Sequence, residues 1–348
     1  MEVFFVRGRI RFPFKRLIGE MPFCGVSSLI MHVLADLRRG RACVVRRAVA
    51  WAVLCLVLFA SPAAGAAKAA AAKILSMSPA GTETLFALSL GDRLVGATPF
   101  CDYPPEALKL PRVASIMDLN LETLLTLSPD LVVLDDMNAF LKDRIEQMNI
   151  PTFVLHHKSL TALCDSIEEL GSACGGEGAG VELADAMRGA MREAAELTKG
   201  RARPRVVVAV NRDVTDPSIR TLYIAGRGSV YDEMLRLAGG ENAFETEGVA
   251  YPRLSAEGLL ALDPDVIIDL TGDHGFQMDL VSGDIVAQWS SLPGLRALKE
   301  GRVYVRFGTD ALHPGPRLVG IVRQFASFLH PELSRPEDLV NVIVPVGR

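Results

Sequence analysis

One helix-to-strand unit is written twice in this chain. Asn120-Leu121-Glu122-Thr123-Leu124-Leu125-Thr126-Leu127-Ser128-Pro129-Asp130-Leu131-Val132-Val133 aligns without a gap on Ser255-Ala256-Glu257-Gly258-Leu259-Leu260-Ala261-Leu262-Asp263-Pro264-Asp265-Val266-Ile267-Ile268. In each copy a polar residue, Asn120 or Ser255, is a good helix N-cap, and a glutamate falls in the first turn, where the helix dipole favours it. A Pro-Asp step then ends the helix ahead of an apolar run that reads as a buried strand. Two lobes made from one pattern are therefore expected, with Glu122 and Glu257 at equivalent places.

The remaining segments agree with this duplication. Short β-rich runs alternate with longer helical patterns, the signature of layered α/β folds with mainly parallel strands. Expected strands are 74–77, 94–97, 131–134 and 152–155 in the first half, and 206–210, 221–225, 266–269 and 303–307 in the second. Between the halves, after Gly175-Gly176-Glu177-Gly178, the residues Leu183, Met187, Ala190, Met191, Ala194 and Leu197 recur at helical spacing up to Lys199-Gly200. A helix of ~20 residues reaches ~30 Å, so it suits a stiff connector between lobes. The expected fold is α/β: two similar Rossmann-like lobes with mainly parallel sheets, joined by a single long linker helix. The expected boundaries are an N-terminal lobe at 73–175, a linker helix at 177–199 and a C-terminal lobe at 204–348.

With 348 residues, 49% of them hydrophobic and 22% charged, the chain is long enough to bury two cores of ordinary size. A formal charge of -4 and the lack of a GxxxxGK[ST] loop argue against nucleic acid and nucleotides as partners. The exception to this neutral composition lies in residues 1–66. Arg38, Arg39, Arg41, Arg46 and Arg47 run into the apolar segment 48–60, which is followed by Ala64-Gly65-Ala66. The apolar run is shorter than the ~20 residues of a spanning helix, so a cleavable signal peptide and export to the periplasm are expected. A retained anchor is the alternative. Cys55 follows Leu54, where lipidation needs a small residue. Beyond the signal only Cys101, Cys164 and Cys174 remain, an odd number that reads as buried small hydrophobes rather than a disulfide framework.

Several segments together resemble the helical-backbone class (class III) of ABC-transporter substrate-binding proteins, which carry cobalamin, ferric siderophores or haem. They are Ile74-Leu75-Ser76-Met77-Ser78-Pro79-Ala80-Gly81-Thr82-Glu83, Cys101-Asp102-Tyr103-Pro104, the two glutamate repeats, Gly228-Ser229 through Ala238-Gly239-Gly240-Glu241-Asn242-Ala243, and Pro314-Gly315-Pro316-Arg317. The resemblance covers about residues 73–331 and rests on order and spacing. It implies a binding protein with no cofactor of its own, whose cargo contains iron or cobalt. Its partners would be an importer permease and, through that, an ATPase. It further implies that Glu122 and Glu257 are the docking contacts for arginines on the permease. A monomer is expected.

Ligands of open α/β sheets bind beyond the carboxyl ends of the strands. This rule nominates Ser78, Pro79, Phe100, Cys101, Asp102, Tyr103, Asp136, Met137 and Asn138 from the first lobe, and Arg212, Arg227, His274 and His313 from the second. Tyr103 leads, because a ring with a hydroxyl packs on a flat chelate and also hydrogen-bonds. Arg212 and Arg227 suit carboxylates on an anionic chelate, and Met137 offers a soft, adaptable contact. No direct metal site is expected; His274 and His313 are the weak candidates, since neither has a recognised ligand spacing. Residues 114–119 lack the tryptophan that cobalamin-binding members tend to carry before the first glutamate motif, while Cys101-Asp102-Tyr103-Pro104 resembles that branch, so the chelate stays open. The competing classes are a periplasmic metal-dependent hydrolase or chelatase, for which no G-x-S-x-G elbow or HExxH is present, and a chelate sensor module.

Overall fold

The computed structural model describes residues 71–113, 121–271, 285, 287–339 and 342–343. The expected signal peptide at 1–66 and His274 lie outside them. The first sheet has the order β2-β1-β3-β4, formed by β1 (Ile74–Ser76), β2 (Leu94–Ala97), β3 (Leu131–Asp135) and β4 (Thr152–Leu155), all parallel. Residues along these strands alternate between two cores. Ile74, Leu131 and Val133 enter one cluster, whereas Leu75, Val132 and Leu134 enter another. A parallel sheet covered on both faces needs such near-continuous apolar strands.

The second sheet is mixed. Its path runs β11-β10-β9-β5-β6-β8, from β5 (Arg205–Arg212), β6 (Thr221–Ile224), β8 (Arg253–Ser255), β9 (Val266–Thr271), β10 (Val303–Phe307) and β11 (Val342–Ile343); β7 (Glu241–Asn242) pairs with β5 off this path. β5, β9 and β10 are parallel, and the outer strands β6, β8 and β11 are antiparallel. The parallel expectation therefore holds for the centre of this sheet and gives way at its edges.

The repeat is realised in matching detail. The helices Leu121–Leu127 and Ala256–Leu262 bury Leu124 and Leu259 at 1% and 0% exposure. Ser128 and Asp263 then both turn through positive φ, 45° and 41°. Asp130 accepts from the Lys73 backbone N–H at 2.9 Å, and Asp265 accepts from that of Arg205 at 2.8 Å. Each repeat thus uses its Pro-Asp step to clamp the start of the neighbouring strand, β1 or β5.

A 22-residue helix, Glu177–Thr198, connects the two sheets' segments. It lies along the helix Leu160–Ala173 on one side and contacts the helices Val230–Leu237 and Leu318–Leu329 on the other. One glycine on each helix permits the first contact: a Cβ on Gly171 would stand 2.8 Å from the Gly180 Cα. Arg188 fastens the pair through Asp165 and Glu168. One hydrophobic cluster runs from Ile74 and Leu85 through Met187 and Met191 to Val206 and Phe325, so the connector shares a core with both sheets.

Candidate functional site

The carboxyl ends of β3, β4, β5 and β9 converge on one cavity of about 510 Å³. Met137 and His157 come from the first sheet's side; Arg212, Tyr231, Tyr251 and Leu270 are among the residues from the second. Met137 and Tyr251 are 63% and 46% exposed, so the cavity offers both an adaptable thioether and an aromatic ring. Tyr231 meets Tyr251 edge-on at 6.3 Å, and its hydroxyl donates to the Ala311 carbonyl at 2.6 Å. Burial raises both phenols above their ordinary pKa, so both remain neutral donors at neutral pH.

Beneath this surface lies a polar floor. The Arg212 Nε donates to Asp269 at 2.8 Å, and its Nη1 donates to Gln288. Trp289, fully buried, donates through Nε1 to the same Asp269 oxygen at 2.8 Å, and the guanidinium lies 5.7 Å from its ring centroid. Opposite, Asp136 accepts from the His157 backbone N–H at 2.8 Å and pairs with His156 Nδ1 at 2.9 Å. Burial opposes ionisation of Asp136, but these hydrogen bonds outweigh it and hold the carboxyl below its usual range.

At a second place the two sheets' segments are tied by charge. Glu83, 5% exposed, accepts from Arg317 at its backbone N, Nε and Nη2, at 3.0, 2.8 and 2.8 Å. The same guanidinium sits 3.6 Å from the Tyr103 ring centroid, a cation–π stack. Thr309 donates to Asp102 at 3.2 Å beside it. His313 is nearby; burial lowers its pKa, with Asp102 opposing and Arg317 assisting. A further tie joins the Glu233 carboxylate to the Leu160 backbone N–H at 2.6 Å.

The nominated residues thus divide. Met137 and Arg212 line the cavity. Phe100 (52% exposed), Asp102 and Tyr103 (43%) are on the surface near the Glu83–Arg317 tie. Ser78, Pro79, Cys101 and Asn138 are inside the first lobe. Ser78 caps the helix Pro79–Ala87, Cys101 pairs with Thr98 at 3.1 Å, and Asn138 spans the Met77 carbonyl and the Asp135 N–H. Burial raises the Cys101 thiol, which keeps it protonated. Arg227 stands apart, in a polar recess with Arg203, Asp232 and Arg236. Glu122 and Glu257 are both exposed in the first turns of their helices. Among the described residues no group of His, Cys, Asp and Glu is arranged to hold a metal ion.

The sequence profile described as periplasmic binding protein matches residues 74–306, which take in the whole first sheet, the second sheet apart from its β11 edge and the end of β10, and most of the residues that line the cavity. The chain belongs to the periplasmic binding protein family. It is 28% identical over 282 residues to the vitamin B12-binding protein of Vibrio cholerae, covering 80% of this chain and 96% of that one. The crystal structure of the Vibrio cholerae vitamin B12-binding protein superposes with a TM-score of 0.63 at 26% identity, over 76% of this chain and 99% of the other. A periplasmic heme-binding protein from Roseiflexus matches with the same TM-score and identity, over 75% and 99%.

Membership sets this periplasmic binding protein among extracytoplasmic carriers of solutes rather than among enzymes. The sequence reasoning missed much of its cavity. Tyr231 and Tyr251 lie in the helix Val230–Leu237 and in the loop before β8, neither of which directly follows a parallel strand. Trp289 and Asp269 were invisible as a pair, although Asp269 breaks the apolar run of β9 and a lone charge in a buried strand signals a partner.

Proposed function

We propose that the protein captures a bulky metal chelate, of the corrinoid, ferric-siderophore or haem kind, in the cleft between its lobes and hands it to an ABC importer. The observation that carries this reading is the cavity of about 510 Å³ at the carboxyl ends of strands from both sheets, lined mainly by apolar and aromatic side chains. Such a lining over a few fixed polar groups suits a large ring system. The relatives that bind vitamin B12 or heme support it. Residues 1–66 act as the export signal that brings the mature protein to the periplasm, where it works as a monomer.

Docking falls to Glu122 and Glu257. Two exposed carboxylates at equivalent positions of a duplicated fold give a two-point contact that sets orientation on a two-fold symmetric permease with basic pockets. The permease in turn couples to its ATPase. The test uses the mature protein with a panel of haem, corrinoids and ferric siderophores, followed by absorbance and native mass spectrometry. One class should bind at one equivalent without turnover; hydrolysis of the probe, or no binding across the panel, refutes the reading. The double variant Glu122→Arg with Glu257→Arg should keep ligand affinity and abolish importer-dependent uptake.

A further inference from the structure

Two residues that line the cavity from different sides, Arg212 and His157, each hold a buried polar atom without a hydrogen-bond partner among the described residues. The Arg212 side chain is 2% exposed, and after Nε and Nη1 are satisfied by Asp269 and Gln288 its Nη2 has no acceptor among the described residues. His157, 9% exposed, likewise has an Nε2 without a hydrogen bond, and the nearest charged atom, Asp135 Oδ2, stands 3.6 Å away. Native folds leave few such groups, so each of these two atoms calls for a partner. Both residues line the same cavity.

The charges around these atoms define that partner. Arg212 is already balanced by Asp269, which is 1% exposed and is also hydrogen-bonded by Trp289. Asp135 adds a second buried carboxyl beside His157, and Asp136 is held ionised next to it. The donor is thus spare, but the positive charge is not. A ligand carboxylate placed at Nη2 would meet Asp269 with no free cation to offset it, in surroundings where screening is weak. A neutral carbonyl oxygen accepts the same hydrogen bond without adding charge, and the NH₂ of a carboxamide can also donate to an imidazole nitrogen.

We infer that the cavity selects a chelate whose inward edge carries carboxamide groups, and discriminates against one that presents carboxylates there. Nη2 is closed to solvent, so its engagement requires a side-chain adjustment of the wall on binding, of the size common at recognition surfaces. This inference rests on the chelate-binding reading and narrows it.

The native protein tests it, with affinity followed by titration calorimetry. Cyanocobalamin is compared with each monocarboxylic acid made by hydrolysing a single peripheral amide, and haem is compared with its bis-amide, in which both propionates are converted. At least one corrinoid acid should bind about tenfold or more weaker than the parent, and the haem bis-amide should bind tighter than haem. If all acids match the parent, or haem matches or exceeds its bis-amide, the selectivity is refuted while chelate binding stands. If none of these compounds binds, the selectivity is likewise refuted, and the chelate-binding reading is left to the ferric siderophores of the panel.

Discussion

Arg317, from the second half of the chain, makes two contacts with the first. Its guanidinium and backbone N–H close on Glu83 of the first helix, while its face covers the Tyr103 ring at 3.6 Å. Removal of the side chain leaves an almost fully buried carboxylate with only the backbone donor, a change worth about 2 to 3 kcal/mol. Arg317→Met is therefore expected to lower stability by that amount in urea melts and to free the Tyr103 ring, while Arg317→Lys recovers only part of the loss because an ammonium cannot match the fork. Of this arrangement the sequence offered Tyr103 and the Pro314-Gly315-Pro316-Arg317 motif, but not their contact, which joins residues more than 200 positions apart. Ser78, Cys101 and Asn138 illustrate the opposite limit. Position after a strand end places a residue near the cleft, yet it does not say whether the side chain turns outward or back into the lobe, and these three turn inward.

Among elements, the duplicated units are the ones whose sequence dictates their shape most fully. The buried leucine, the left-handed residue and the clamping aspartate occupy matching places in both copies, while Asn120, the expected N-cap of the first, lies outside the described residues. Asp130→Ala removes the hydrogen bonds from the Ala72 and Lys73 N–H groups, Asp265→Ala removes that from Arg205 together with the exposed Arg296 pair, and each is expected to cost about 1 to 2 kcal/mol by chemical denaturation. Because the two sites serve separate sheets, the double variant should lose close to the sum. All eight strands expected from apolar runs are present. Those that escaped, β7, β8 and β11, have two or three residues each, too few to show a period. The reversed direction of β6 was also illegible, since strand direction is set by how the chain returns rather than by composition.

At the scale of the whole molecule, the two sheets are bound by a shared core along the Glu177–Thr198 helix and by polar ties at Glu83–Arg317, Asp102–Thr309 and Glu233–Leu160. This much fastening leaves little room for the wide closure of a hinged clamp. Cargo binding should change the radius of gyration only slightly in solution scattering, and a large compaction would show that the ties release.

The edge of the second sheet carries one last implication. Leu222 pairs with Arg212 and Thr221 with Ser255, so Glu257, two residues on, stands at the end of the sheet where β5 opens into the cavity. On the docking we propose, the importer would then rest over the mouth itself. Unloading would then be vectorial, with the translocation pathway in front of whatever leaves the pocket.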